Sequence, residues 1–149
     1  MPVVHVACCC GNKIGLPGRG HVWTCDRNDR GQLGHSDRTA KHLFTLVDPG
    51  HFEGASIVIA AGGLVHSVVA SAEGDVLTWG SGTFGRLGHN DGQDRLAPAR
   101  LGTEQFGGGK MMFVTTGGRA NILSTADSLH HHCKLGGGCA SIPGTSVYK

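Results

Sequence analysis

Four stretches of the chain carry residue types whose spacing could do chemistry. In GSGTFGRL, Gly80, Gly82 and Gly85 fit G-x-G-x-x-G with Phe84 before the last glycine, the pattern of a loop that follows a strand and covers nucleotide phosphates with backbone amides. DRNDRGQLGHSD sets Asp26, Asn28 and Gly31 in the register of a calcium loop. HHHC, His130 to Cys133, together with Cys139 offers nitrogen and sulfur donors of the kinds zinc takes. Cys8, Cys9 and Cys10 form a thiol run open to lipidation or soft metals.

Each pattern lacks something its chemistry requires. A kinase loop needs a strand lysine, an H-R-D and a D-F-G, and none follows. In the calcium pattern Arg30 sits where an oxygen donor belongs and Asp37 replaces the bidentate glutamate; a cation inside a hard-cation site is strongly unfavourable. Adjacent histidines cannot all face one zinc ion, and residues 135–149 are rich in Gly, Ser and Pro, poor material for a rigid site. Acyl transfer has no G-x-S-x-G elbow and no defensible Cys/His pair. The residues therefore predict no catalytic, cofactor-binding or metal site and no cofactor, with a zinc-binding segment at His130 to Cys139 as a remote alternative.

The elements that would position these residues come from an internal repeat. GHVWTCDRNDRGQLGHSD, from Gly20, lies 54 residues before GDVLTWGSGTFGRLGHND, from Gly74, with eight identities in eighteen positions and no gap. The offset continues outward: VVHVA from Val3 falls on IVIAA from Ile57 and on MMFVT from Met111. Three copies thus begin near residues 3, 57 and 111. In the last, TTGGRANILSTA echoes AAGGLVHSVVASA with one residue inserted, and from Ser128 the repeat is lost. Within a copy, IVIAAGG, HSVVAS and DVLTWG read as short β-branched strands, with a glycine turn at AEGD. Four short strands in about fifty residues make one blade of a β-propeller.

The repeat explains several of the suspicious residues. Gly31 and Gly85 are equivalent, whereas Gly80 and Gly82 have no glycine counterpart in DRNDRG. His35 and His89 recur with their Leu-Gly neighbours, as loop-fixing hydrogen-bonding residues would; His66 and Trp79 read as structural in the same way. Cys8 and Cys9 fall on Gly62 and Gly63, where small size is wanted.

Composition sets outer limits. Glycine supplies 26 of 149 residues and charged residues only 16%, so turns are plentiful and solvated charged faces few. The net charge is +2, and basic and acidic residues alternate around Arg27 to Arg38, leaving nucleic-acid binding unsupported. The longest apolar run, Ile57 to Ala70, is interrupted by Gly62, Gly63 and His66 and is too short for a bilayer. MPVVHVACCC lacks the form of a secretory signal, and the cysteine spacing lacks that of a disulfide framework. An intracellular setting, cytoplasmic or nuclear, is expected.

Ala61-Gly62-Gly63 with His66-Ser67, Gly74-Asp75-Val76 with Trp79-Gly80, and Gly85-Arg86-Leu87-Gly88-His89-Asn90-Asp91 together resemble the blade signature of the regulator of chromosome condensation repeat family. The first copy departs from it: Cys25 and Asp26 replace Trp-Gly, and Asn12 stands at the histidine position. The resemblance covers residues 3–126 and implies an all-β chain of antiparallel four-stranded blades. The family ring has seven blades, so this would be an incomplete one. Residues 127–149 are expected to be a disordered Gly/Ser/His-rich tail. By the same resemblance the chain would be a non-enzymatic protein-interaction module, a fragment or reduced member of a larger repeat protein that offers its blade loops to a protein partner. Guanine-nucleotide exchange on a small GTPase, or association with a ubiquitin ligase and its pathway, is the regulatory alternative implied for some members.

Overall fold

The computed structural model describes residues 5–9, 11–18, 20–102, 111–116, 121–125, 129–132 and 140–141. They form three antiparallel four-stranded sheets. The first holds β1 (His5–Cys9), β2 (Asn12–Leu16), β3 (Trp23–Asp26) and β4 (Lys41–Leu46). The second holds β5 (Ile57–Gly62), β6 (His66–Ser71), β7 (Val76–Gly80) and β8 (Arg95–Arg100). The third holds β9 (Met111–Thr116), β10 (Asn121–Thr125), β11 (Leu129–His132) and β12 (Ala140–Ser141). Strand order follows chain order within each sheet, and the first strand of the middle sheet, β5, lies beside both β1 and β9. This is the arrangement of consecutive propeller blades.

Local chemistry accounts for the meander. β6, HSVVAS, is buried along its whole length and β-branched at its centre, the composition of a strand covered on both faces. It turns into β7 through Gly74 at φ 96°, which only glycine adopts without strain, while the Asp75 carbonyl accepts the Ser71 N–H at 2.9 Å.

Register follows the 54-residue offset closely. Cys8 pairs with Lys13 and Gly62 with Ser67; Ile14 pairs with Thr24 and Val68 with Thr78. The irregularity where β3 meets β4 reappears where β7 meets β8. In the third blade Asn121 pairs with Thr116, and Thr125 with Met111 across a bulge equivalent to that at Ile57. No residue is inserted in that hairpin, contrary to the sequence alignment, because pairing follows backbone register rather than the position of a Gly-Gly. The offset breaks one turn later: Ser124 faces Leu129 where Ala70 faces Val76, so β11 enters one residue early. That single missing residue takes the repeat out of phase beyond Ser128.

β11 and β12 also differ from the expected disordered tail in the residues they occupy, where the backbone is paired. Ladder hydrogen bonds need no particular side chain, so LHHH can supply a strand without looking like one. The remainder of 127–149, with Cys133 and Cys139, lies outside the described residues.

The main core lies between the first two blades. Ile14, Leu16, Val22 and Val47 of the first pack with Ile57, Ala60, Val69, Leu77 and Trp79 of the second, and Phe52 from the connector meets Trp79 edge-on at 6.5 Å. Ala61, Val68, Ala70, Val76 and Leu101 form a second cluster on the opposite face of that blade. Blade two is therefore covered on both sides.

Candidate functional site

Residues 27–40, after β3, and residues 81–94, after β7, form long connections at the same end of their blades. Each is anchored by the strand beneath it. Thr24 donates its hydroxyl proton to the Leu33 carbonyl at 2.8 Å, so the 3.0 Å contact with His35 Nε2 has the imidazole donating. Thr78, Leu87 and His89 repeat the arrangement at 2.7 and 3.1 Å. Two residues beyond each histidine stands an aspartate. Asp37 accepts the Thr39 N–H and pairs with Lys41; Asp91 accepts the Gln93 N–H and pairs with Arg95.

Electrostatics follows from this geometry. Burial lowers the pKa of His35 and of His89, with Lys41 and Arg95 adding to the effect and Asp37 and Asp91 opposing it. The Thr39 amide lowers the Asp37 carboxyl, and the Arg95 guanidinium, first, lowers Asp91. The histidines are held neutral and the carboxylates charged, an arrangement that braces a loop.

The first connection also clasps the second blade. The Gln32 carbonyl accepts both Ser67 Oγ at 2.7 Å and Trp79 Nε1 at 2.8 Å, and Asn12 Nδ2 donates to the same Ser67 hydroxyl at 2.7 Å. Ser36 N–H donates to Leu96 O at 2.9 Å, and Arg38 reaches Asp94 at 3.4 Å. Gly34 lies against the indole: a Cβ there would stand 2.9 Å from Trp79 Nε1, and its φ of 80° already favours glycine. Trp79 and His66 are fully buried.

Within GSGTFGRL the groups are engaged locally. Gly82 donates its N–H to Asp94 Oδ1 at 2.9 Å, and Arg86 Nε donates to Thr83 O at 2.8 Å. Phe84, at φ 64°, stands 40% exposed at the tip with the Arg86 guanidinium 5.8 Å from its ring centre. Leu64, in the turn between β5 and β6, is 43% exposed at that same end. The calcium-like donors are engaged too: Asp26 pairs with Lys13, and Asn28 accepts from Leu33 N–H while donating to Asp37 and to Thr39 O. Among the described residues no group of three or more His, Cys, Asp or Glu is placed to hold a metal. At the opposite end Val22, Val47, Pro49, Phe52 and His21 line a shallow pocket of about 140 Å³ with no second titratable group facing that histidine.

Sequence reasoning missed the roles of Gln32 and Asp94 and read Asn28 only as a calcium-like donor. Gln32 works through its carbonyl, which every residue type possesses, so Arg86 at the equivalent position gave no signal. Asn28 was visible as an asparagine before a tight glycine turn, where it can bridge backbone groups.

The family model for the Regulator of chromosome condensation (RCC1) repeat matches residues 73–122. The chain is 33% identical over 115 residues to human E3 ubiquitin-protein ligase HERC2, and 33% identical over 120 residues to the Ultraviolet-B receptor UVR8 of Arabidopsis thaliana. These alignments cover 76% and 80% of the chain but 2% and 26% of the relatives, so the chain spans a minor part of either. Human WBSCR16 superposes with a TM-score of 0.84 at 21% identity over 95% of this chain and 38% of its own. Prp20p of Saccharomyces cerevisiae, whose structure was described with its binding to Gsp1p and histones, superposes at 0.72 and 19% identity over 89% of this chain and 31% of its own. Signature residues, shared hydrogen bonds and these likenesses agree that the chain belongs to the RCC1 repeat family, as consecutive antiparallel blades of an incomplete β-propeller ring.

Proposed function

We propose that the chain is a non-enzymatic protein-interaction module, part of a larger repeat protein, whose connections after β3 and β7 meet the partner. The observation that carries this reading is the use made of the recurring polar residues: His35, His89, Asp37, Asp91 and Thr78 all brace loops, while Phe84 and Leu64 stand exposed at the end those loops form. A rigid scaffold with apolar tips fits binding better than turnover.

Likeness to Prp20p favours one partner class, a small GTPase of the Gsp1p kind, with histones second. The relation to HERC2 makes a ubiquitin-pathway protein the alternative. Calorimetric titration of the chain with such a GTPase, and separately with histones, tests the reading. Saturable binding weakened by Phe84→Ala at unchanged melting temperature is the expected result. Binding that Phe84→Ala and Leu64→Ala both leave unchanged would remove this end as the contact surface. A GTPase that binds without faster nucleotide release would mark the chain as a docking module and not an exchange factor.

A further inference from the structure

Blade one departs from blade two at four equivalent positions, and the departures meet on one face. In blade two, Ser67 and Trp79 bond the Gln32 carbonyl, and Gly62 and Gly80 are glycines; the matching places in blade one hold Lys13, Cys25, Cys8 and Asp26. Cys8 stands opposite Lys13 across β1 and β2, and Lys13 opposite Cys25 across β2 and β3. Directly opposed residues share a face, with Cβ atoms about 5 Å apart. Both thiols are free and close enough to bear on the Lys13 charge, and Lys13 Nζ donates to Asp26 Oδ2.

Asp26 accepts that bond from a backbone at φ 86°, where its counterpart Gly80, at 101°, bears no strain. Strain among departures from a repeat is a pointer to function. Seating another blade on this face would bury the Lys13–Asp26 pair at a cost in desolvation, whereas here its side chains are 47% and 42% exposed. The face is open to small solutes.

The two thiols divide by exposure. Cys25 is buried, which raises its pKa, while Cys8 is exposed. The Asp26 hydrogen bond raises the Lys13 pKa, so a reagent arriving from solution meets little free amine. An electrophile already held on the opposite strand acts at a far higher effective concentration, and the four-carbon lysine stem can swing from Asp26 to Cys8.

We propose that Cys8 and Lys13 form an acyl-relay site, which takes an acyl group from a small thioester and leaves it on the Lys13 amine. The Cys8 thiolate attacks the thioester carbonyl, and the reagent's own sulfur leaves as a thiol, carrying the proton Cys8 gave up. Lys13 Nζ then attacks the Cys8 thioester: the C–N bond forms, the C–S bond breaks, and Cys8 is restored. Of the two protons that the ammonium loses, one passes through Asp26 to solvent and the other goes to the departing Cys8 sulfur. No oxidant or reductant is consumed. The amide product is uncharged, so Asp26 loses its ion-pair partner and the group stays on the chain.

Incubating the 149-residue chain with acetyl-coenzyme A at neutral pH, then mapping acetyl groups over time by peptide mass spectrometry, tests this. Lys41 is the internal reference, since it also pairs with an aspartate but stands opposite Asp26 and not a thiol. Lys13 is expected to acetylate about tenfold or more faster than Lys41. Cys8→Ala is expected to remove that advantage at unchanged circular dichroism and melting temperature. Lys13→Arg keeps a cation beside Asp26 but cannot take the acyl group, so a hydroxylamine-labile acetyl is expected to build up on Cys8. A Lys13 rate no higher than that of Lys41 overturns the proposal, as does a folded Cys8→Ala variant that keeps the parent rate. If Cys8→Ala unfolds, a Lys13→Arg chain with no acetyl on Cys8 overturns it.

Discussion

At the scale of single residues, the hydroxyls of Thr24 and Thr78 and the rings of His35 and His89 form two copies of one device. Thr78→Val keeps the shape but leaves the buried Leu87 carbonyl without its donor. A loss of about 1–3 kcal/mol is expected, read as a lower denaturant midpoint at unchanged slope. Protonation adds a second test. Both histidines have folded pKa values below the ordinary 6.5, so the stability they contribute is complete above 6.5. As pH falls through 6.5 the unfolded chain takes up protons first, and stability declines until the folded values are passed. Asp37 and Asp91, held below 3.8, contribute in full above 3.8 and lose their share as pH falls further. Melting temperature is therefore expected to step down twice on acidification. Substituting both histidines with glutamine is expected to flatten the upper step and leave the lower one. The recurring residues were legible in the sequence because their side chains do the bonding. Gln32 was not, because its main chain does.

Elements show the same division. The β5–β8 meander was legible from β-branched runs and the Gly74 turn, both side-chain signals. β11 and β12 were not, since a ladder accepts any residue able to extend and a one-residue deletion erased the phase. The loop after β3 depends on a close approach that only glycine allows. Gly34→Ala is expected to cost about 2–4 kcal/mol, from left-handed strain together with displacement of the Trp79 indole. The fluorescence of Trp79 is expected to change with it. Gly92→Ala, where an added Cβ meets nothing within 4 Å, is expected to lie within about 0.5 kcal/mol of the parent.

For the whole molecule, stability is carried between blades. Val69, Leu77 and Trp79 of one sheet complete a core begun by Ile14 and Leu16 of another, so no blade buries its faces alone. Trp79→Ala is expected to cost about 3–5 kcal/mol and to expose amides of β2 and β3 to hydrogen exchange as well as those of its own strand. Protection confined to loss in β7 would show the blades opening independently. No described helix is long and apolar enough to cross a membrane. The assignment of partner rests on loops, and the sequence could name the loops without naming what meets them, because the tips at Phe84 and Leu64 fall outside the repeated pattern.

The junction at Gln32 joins neighbouring blades through a main-chain oxygen. The bond across the seam uses no side-chain atom of Gln32, and every residue type carries the same carbonyl acceptor. Gln32 and Arg86 stand at equivalent places in the repeat with unrelated side chains. The Gln32 amide itself is fully buried and braces the loop through Asp29 and Arg30, so a substitution at residue 32 is expected to loosen the loop while the main-chain acceptor of the seam stays in place.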